Sequence, residues 1–153
     1  MFKEILVPLD GSELAEKAIP YAVELAKKFD SRITLLSVIE PVAIYSQPGI
    51  VGPVVNVVLE PEAEAQEVHK YLDKISTNIK DEGINVRKVV RQGDAAGQIC
   101  DFSKEAGIEL IVMSTHGRSG FQRWVYGSVA DKVLRGAEAL VLLVRARPKE
   151  AEK

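Results

Sequence analysis

The sequence predicts a single doubly wound (Rossmann-like) α/β domain built on a five-stranded parallel sheet with four main helices. Short apolar segments alternate with amphipathic helical segments, and turn residues mark the boundaries between them. A helix between two apolar strands implies a right-handed crossover and parallel pairing, and we expect the strand order 3-2-1-4-5. With 153 residues the chain is long enough for one domain with its own hydrophobic core and too short for two domains of typical size.

Five short segments are the predicted strands, and the first is mostly apolar and β-favouring, as is typical of a short strand buried in a parallel sheet. They lie at residues 2–9, 31–39, 85–91, 108–114 and 139–144. The first predicted helix runs over 13–29 behind the N-cap Ser12, and Pro20 should kink it, because an interior proline costs about 3 kcal/mol. The other predicted helices lie at 60–83, 93–106 and 128–135.

The segment 41–59 has no charged residue, and its three prolines and two glycines argue against a helix in a membrane. We interpret it as a long loop from Pro41 to Leu59 that either covers a site or contacts another subunit, although 53–59 could add a short strand. The last residues, 147–153, form a charged tail that is expected to be disordered, which leaves 1–146 as the domain.

Charge and cysteine content exclude several functional classes. The chain has 20 basic and 22 acidic residues, and a net charge of −2 argues against nucleic acid as the main partner. Cys100 is the only cysteine, so no disulfide framework is expected. The N-terminal residues lack the long apolar run of a signal peptide, and we therefore expect a cytoplasmic protein.

The loop after the fourth predicted strand has the features of a phosphate-binding site. It contains Gly117, Gly120 and Gly127, and Ser128 stands where the next helix begins. Glycine lets backbone N–H groups approach an anion, and the first turn of a helix offers unpaired donors and a positive dipole end. Ligands of doubly wound folds bind beyond the carboxyl ends of the strands, so we expect Asp10, which follows strand 1, to line the same crevice.

Each of these signals also has a purely structural interpretation. Glycines in such a loop can be turn residues, and Asp10 alone could cap the first helix. Arg118 and Arg123 could neutralise phosphate or simply be solvated. His116 and His69 have no third ligand beside them, so a transition-metal site is not expected.

The chain resembles the universal stress protein family over nearly its whole length, in KEILVPLDGS, in the strand pattern and in THGRSGFQRWVYGSVADKVLR. Members that bind ATP carry Gly-x-x-Gly, nine residues, and then Gly-Ser or Gly-Thr. Here nine residues separate Gly117 from Gly127, and Ser128 follows. Ser114 stands where the first glycine of the pattern would be, and it could narrow the approach to the ligand or add a hydroxyl hydrogen bond.

The resemblance implies an adenine nucleotide site. The residues implied near adenine and ribose are Pro8, Leu9, Asp10 and Val38. Those implied along the ribose and the α-phosphate are Met113, Ser114, His116 and Gly117, and those implied at the outer phosphates are Gly127, Ser128 and Val129. Asp10 could also hold Mg²⁺ through water, since Mg²⁺ usually keeps several waters and few carboxylates.

The predicted function is that of an ATP-binding regulatory or stress-response protein, and the resemblance implies a homodimer joined through the last strand, from Ala139 to Val144. An enzyme of the same fold, with slow ATP hydrolysis or nucleotidyl transfer, is the alternative. Against it, the motif Gly-x-x-x-x-Gly-Lys-Ser/Thr is missing and no base is evidently paired with a nucleophile. A receiver-like module would need clustered acids after strand 1 and a lysine after the last strand, where this chain has Asp10 alone and Arg145.

Overall fold

The computed structural model describes residues 1–41, 61–117 and 127–146. The strands are β1 (Glu4–Pro8), β2 (Arg32–Ile39), β3 (Val86–Gln92), β4 (Leu110–Ser114) and β5 (Leu140–Val144). The helices are α1 (Glu13–Glu16), α2 (Ile19–Phe29), α3 (Pro61–Lys80), α4 (Ala95–Glu105) and α5 (Ser128–Gly136). Predictions for the uncharged segment after Pro41, for Arg118, Gly120 and Arg123, and for the tail 147–153 lie outside the described residues.

The five strands form one parallel sheet in the order β3-β2-β1-β4-β5, which confirms the predicted order and fold class. In β1, Leu6 lies opposite Thr34 of β2 on one side and Ile111 of β4 on the other. This central strand is almost wholly buried because helices cover both faces of the sheet. The strand order reverses between β1 and β4, and this reversal puts the ends of both strands beside one crevice.

The core has two layers, one on each face of the sheet. Ile5 and Val7 belong to the layer that contains the buried residues of α2 and α3, whereas Leu6 belongs to the layer beneath α4 and α5. This division follows from the geometry of a strand, in which successive side chains point to opposite faces. Helix packing on both faces holds the strand ends, and therefore the crevice, in fixed positions.

The first predicted helix is broken rather than kinked, so this part of the prediction is wrong. Helix α1 ends at Glu16 and α2 begins at Ile19, with Pro20 in the first turn of α2. Between them the Ala18 N–H donates to the Ala15 carbonyl, an i to i−3 bond that tightens the chain. Proline is tolerated in a first helical turn because its missing N–H would have no partner there, so the expected cost disappears.

The predicted helix caps are present. The Ala15 N–H donates to the Ser12 Oγ at 3.2 Å, and the Gly97 N–H donates to the Asp94 Oδ2 at 2.8 Å. Asp30, which directly follows α2, takes the left-handed conformation with a φ of 54°. Among the helices that the structure describes, none combines the length and the apolar character that a membrane span needs.

The two edge strands have different chemistry. On β3, Lys88 forms an ion pair with Asp73 and Arg91 forms one with Glu105, and each cation lowers the pKa of its partner carboxyl through the hydrogen bond between them. On β5, at the opposite edge, Leu140 is 63% exposed. Charged side chains discourage association at a sheet edge, so β3 is protected and β5 leaves an apolar edge available.

Candidate functional site

A cavity of about 650 Å³ lies at the carboxyl ends of the strands, within the range of roughly 300–1,000 Å³ that is usual for small-molecule sites. The loops after β1, β2 and β4 and the beginning of α5 form its walls. The predicted site residues that line it are Pro8, Leu9, Asp10, Val38, Met113, Ser114, His116, Gly117, Gly127, Ser128 and Val129. The fold thus brings together all the predicted site residues except Arg118, which is outside the described part of the chain.

Asp10 and Gly117, which are far apart in the sequence, are in direct contact. A Cβ atom built on Gly117 would lie only 2.1 Å from the Asp10 Oδ2 atom. Real side-chain atoms do not approach this closely, so the loop can run past the carboxylate only because residue 117 has no side chain. The expectation that Asp10 and this loop line one crevice is therefore correct.

The Asp10 carboxylate has a structural role as well. Its Oδ1 atom accepts hydrogen bonds from the Ser12 backbone N–H at 3.0 Å and from the Ser12 Oγ at 2.6 Å. Asp10 is therefore a turn residue through one oxygen, although Ser12 and not Asp10 caps α1, and its other oxygen lies against Gly117 in the cavity wall. A turn that fixes the carboxylate also orients it toward a ligand.

Gly127 connects the loop to α5 through a close backbone contact. Its N–H donates to the Thr115 carbonyl at 2.8 Å, and a Cβ atom at this position would lie 2.9 Å from the same oxygen. Gly127 is also the N-cap of α5 and offers no side chain to the first turn of the helix. The N–H groups of that turn, which begins at Ser128, face the cavity without a side-chain cap from the described residues.

The beginning of α4, where Ala95 also lines the cavity, is different because acidic side chains already occupy it. The Ala95 N–H donates to the Glu40 Oε1 at 3.2 Å, and Asp94 caps Gly97. These carboxylates satisfy the positive end of the helix and would repel a second anion. An anionic ligand is therefore expected at α5 rather than at α4.

Ser114, the departure from the glycine pattern, is 6% exposed and uses its hydroxyl group locally. Its Oγ donates to the His116 carbonyl at 2.8 Å and accepts from the His116 N–H at 3.3 Å. Of the two effects expected for this serine, the structure shows an added hydroxyl hydrogen bond, within the loop. The bond tightens the turn between β4 and Gly117.

The sequence did not point to several residues that line the cavity, namely Glu40, Tyr71, Ala95, Ile99 and Thr115. Tyr71 lies on α3 and donates to the Glu16 Oε1 at 2.9 Å. This contact joins segments that are distant in the sequence, so no local sequence pattern predicts it. Thr115 had a usable signal, since it directly follows β4 at the end of the sheet where ligands bind. No three His, Cys, Asp or Glu side chains in the described part of the chain are grouped to hold a metal ion.

The fold and the cavity define a class, that of Rossmann-like α/β proteins with a binding cavity at the switch point of the sheet. Comparison with known proteins narrows this class. The model of the universal stress protein family matches residues 1–145, and the chain belongs to this family.

Related chains match over nearly the whole length. The chain is 32% identical to universal stress protein YxiE of Bacillus subtilis, over 95% of this chain and 100% of that one. It is 29% identical to universal stress protein MJ0531 of Methanocaldococcus jannaschii, over 98% of this chain and 86% of the relative. The solved structure of MJ0577, from the same archaeon, superposes with a TM-score of 0.80 at 26% identity, over 97% and 99% of the two chains.

Two further solved structures share the fold at lower identity. A universal stress protein in complex with cAMP has a TM-score of 0.70 at 18% identity, over 95% of this chain and 98% of that one. The universal stress protein from Archaeoglobus fulgidus in complex with dAMP has a TM-score of 0.66 at 17% identity, over 94% and 97%.

Proposed function

We propose that this protein binds ATP at the cavity and acts as a regulatory, stress-response module whose shape or partners depend on the bound nucleotide. The observation that carries the proposal is the beginning of α5, which no described side chain caps, together with the contact between Asp10 and Gly117. Backbone N–H groups at a helix N-terminus suit phosphate oxygens, and a carboxylate suits ribose hydroxyls. The adenine nucleotides cAMP and dAMP, held by two universal stress proteins of the same fold, support this class of ligand.

The charges around the cavity support one orientation of the ligand. Glu40, Glu64 and Glu67 line the side formed by β2 and α3, where negative phosphates would be repelled. The first turn of α5, which no described side chain caps, lies after β4 and lines the cavity with Ser128 and Val129. We therefore place the phosphates at Gly127, Ser128 and Val129, and the base near Val38 at the end of β2.

The residues present also fit a bound Mg²⁺ ion. Mg²⁺ is usually bound by one or two carboxylates together with substrate phosphates and several waters, so Asp10 alone would be a sufficient protein ligand. Asp10 would hold the ion through water, and the ion would neutralise part of the phosphate charge. The same carboxylate remains tied to Ser12 through Oδ1, which keeps its position fixed.

The proposal is tested by nucleotide release and calorimetry. Purified protein is denatured, the supernatant is analysed for adenine nucleotides by chromatography, and the apo protein is titrated with ATP with and without Mg²⁺. We expect either co-purified adenine nucleotide or saturable binding that strengthens with Mg²⁺. The proposal would be refuted if no nucleotide co-purified and no binding were detected at about 1 mM ATP. A dissociation constant of about 1 mM corresponds to a binding free energy of about −4 kcal/mol.

We further propose that binding occurs without efficient turnover, so that the protein is not an enzyme. The same samples report on this point when release of ADP or pyrophosphate is followed over time. Steady turnover that is lost in Asp10→Asn would instead identify an ATP-hydrolysing or nucleotidyl-transferring enzyme. Asp10→Asn is suitable because its amide oxygen can still accept the bonds from Ser12.

A further inference from the structure

Glu40, the residue directly after β2, is held at two points in the wall of the cavity. Its Oε1 atom accepts from the N–H of Ala95, the first residue of α4, at 3.2 Å. Its backbone follows Ile39, whose carbonyl accepts from the Gly93 N–H at 3.0 Å. Because the main chain and the side chain are both attached to neighbouring segments, the carboxylate has a defined position although Glu40 is exposed.

The bond to Ala95 leaves the Glu40 carboxylate able to accept further hydrogen bonds. An ionised carboxylate has about four acceptor positions and no hydrogen to donate, and α4 takes up one of these positions. Since Glu40 also lines the cavity, a ligand there meets an acceptor at this point and not a donor.

An apolar surface lies beside this acceptor. Val38, Ile99 and Met113 line the cavity, and all three belong to or pack against the core cluster beneath α4 and α5. Val38 and Glu40 are two residues apart, so they extend to the same face of the sheet, which is the face that α4 covers. Apolar walls suit the flat faces of a base, and a polar group beside them fixes its orientation.

The order of the strands sets the distance between Glu40 and the beginning of α5. Strands β2 and β4 both flank β1, and neighbouring strands lie about 4.8 Å apart, so their ends are roughly 10 Å apart. The beginning of α5 is attached to the end of β4 through the bond between Gly127 and Thr115. A nucleotide whose phosphates lie at α5 is long enough to bring the edge of its base to the end of β2.

We propose that Glu40 is a specificity-determining residue that accepts a hydrogen bond from the 6-amino group of adenine. The inference rests on the proposed nucleotide function and adds which base the site selects and through which group. Adenine carries an NH₂ donor at position 6, whereas guanine and hypoxanthine carry an oxygen acceptor there. A carboxylate attracts the amino hydrogens and repels the oxygen, so it discriminates against 6-oxopurines.

The first test uses the unsubstituted protein and three nucleotides that differ only at the edge of the base. ATP, purine riboside triphosphate, which has hydrogen in place of the amino group, and ITP, which has oxygen there, are titrated by calorimetry with Mg²⁺ present. We expect ATP to bind about tenfold more tightly than purine riboside triphosphate, which corresponds to one hydrogen bond of about 1.4 kcal/mol. We expect ITP to bind most weakly.

The second test assigns this preference to Glu40. In Glu40→Gln the amide oxygen can still accept from Ala95, which leaves the NH₂ group as a donor toward the ligand. We therefore expect the preference for ATP over ITP to fall at least tenfold. Glu67→Gln is the control, because it removes a negative charge from the same cavity without a change at α4. We expect it to shift the three affinities together and to keep their ratios within about twofold.

The outcomes separate this inference from the proposed function. If the protein binds ATP and purine riboside triphosphate equally well, or prefers ITP, the nucleotide site stands and the role of Glu40 is refuted. The role is also refuted if Glu40→Gln keeps the preference for ATP, since another group then selects the base. If none of the three nucleotides binds, both proposals fail. The first test needs no substitution, so it decides the base preference even if Glu40→Gln does not fold.

Discussion

At the scale of single residues, the site depends on positions where no side chain can be added. Gly117 lies against the Asp10 carboxylate, where a Cβ atom would clash with it. The Gly127 N–H donates to the Thr115 carbonyl, and a Cβ atom on Gly127 would lie too close to that oxygen. The sequence marks both positions as glycines at a recognisable spacing. It cannot show that Asp10 is the neighbour that makes Gly117 necessary, because that contact joins two separate strand ends.

Substitution of Gly117 therefore should weaken ligand binding more than it weakens the fold. In Gly117→Ala the new methyl group must displace the Asp10 carboxylate, which lies 2.1 Å from the Cβ position, and Gly117→Val must displace more. We expect ATP affinity to fall at least tenfold in Gly117→Ala and binding to be lost in Gly117→Val, as measured by calorimetry.

Gly136→Ala is the matched control for Gly117→Ala. A Cβ atom there would meet the Cys100 Sγ at 3.4 Å, an ordinary contact, and residue 136 lies in the last turn of α5 away from the cavity. We expect unchanged ATP affinity and stability within about 1 kcal/mol, since alanine is the better helix former. If Gly117→Ala bound ATP with the same affinity as the control, the loop at Gly117 would not be part of the ATP site.

At the scale of elements, local patterns predicted the strands and most helices, and they failed at the first helix. Apolar spacing runs through residues 13–29 without interruption, so the sequence alone favours one helix with a kink at Pro20. In the structure, α1 instead ends after one turn, at Glu16, and α2 begins at Ile19. The apolar residues of both pieces, including Ala15 and Ala22, still reach the same core layer, which is why the pattern did not reveal the break.

The position of Pro20 can be tested by measuring stability. Because Pro20 is in the first turn of α2, Pro20→Ala should change the free energy of unfolding by less than about 1 kcal/mol. A proline inside a continuous helix would instead cost about 3 kcal/mol, and its removal would stabilise the protein by a similar amount. Urea unfolding followed by circular dichroism distinguishes the two results.

A proline in the interior of α2 provides the comparison. Glu24 is exposed in the middle of the helix, and Glu24→Pro should destabilise the protein by about 3 kcal/mol or more. A gain of about 3 kcal/mol in Pro20→Ala would mean that the helix is continuous in solution and that the break between α1 and α2 is wrong.

At the scale of the whole molecule, the two sheet edges differ in their capacity to pair with a second copy of the chain. The β3 edge is covered by ion pairs, whereas the β5 edge exposes Leu140 and Leu142 on one side of the strand. The resemblance to universal stress proteins implies a dimer through this strand, and an exposed apolar edge strand favours such pairing. Because Ala146, just beyond β5, donates to Thr115, a dimer formed there would be linked to the part of the cavity wall that Thr115 and Gly127 form.

We expect Leu142→Lys to weaken the homodimer that the resemblance implies. A lysine at this 38% exposed position would place a charge in the paired edge, so light scattering coupled to size-exclusion chromatography should show a shift from dimer to monomer. Tyr21→Lys, which changes an exposed apolar residue on α2, should leave the mass unchanged. A dimer that persists in Leu142→Lys, or a monomer in the unsubstituted protein, would exclude association through β5.

The sequence by itself determined the fold class and the strand order, and its resemblance to a family implied eleven of the residues that line the cavity. Apolar periodicity, caps such as Ser12 and Asp94, and glycine spacing could indicate the elements because they act over short distances along the chain. Only the tertiary structure decided which oxygen of Asp10 meets Gly117, that Glu40 also accepts from the beginning of α4 while no described side chain caps α5, and that Thr115 contacts both Ala146 and His116. These are contacts between segments that become neighbours only when the sheet assembles, and no local pattern encodes their geometry.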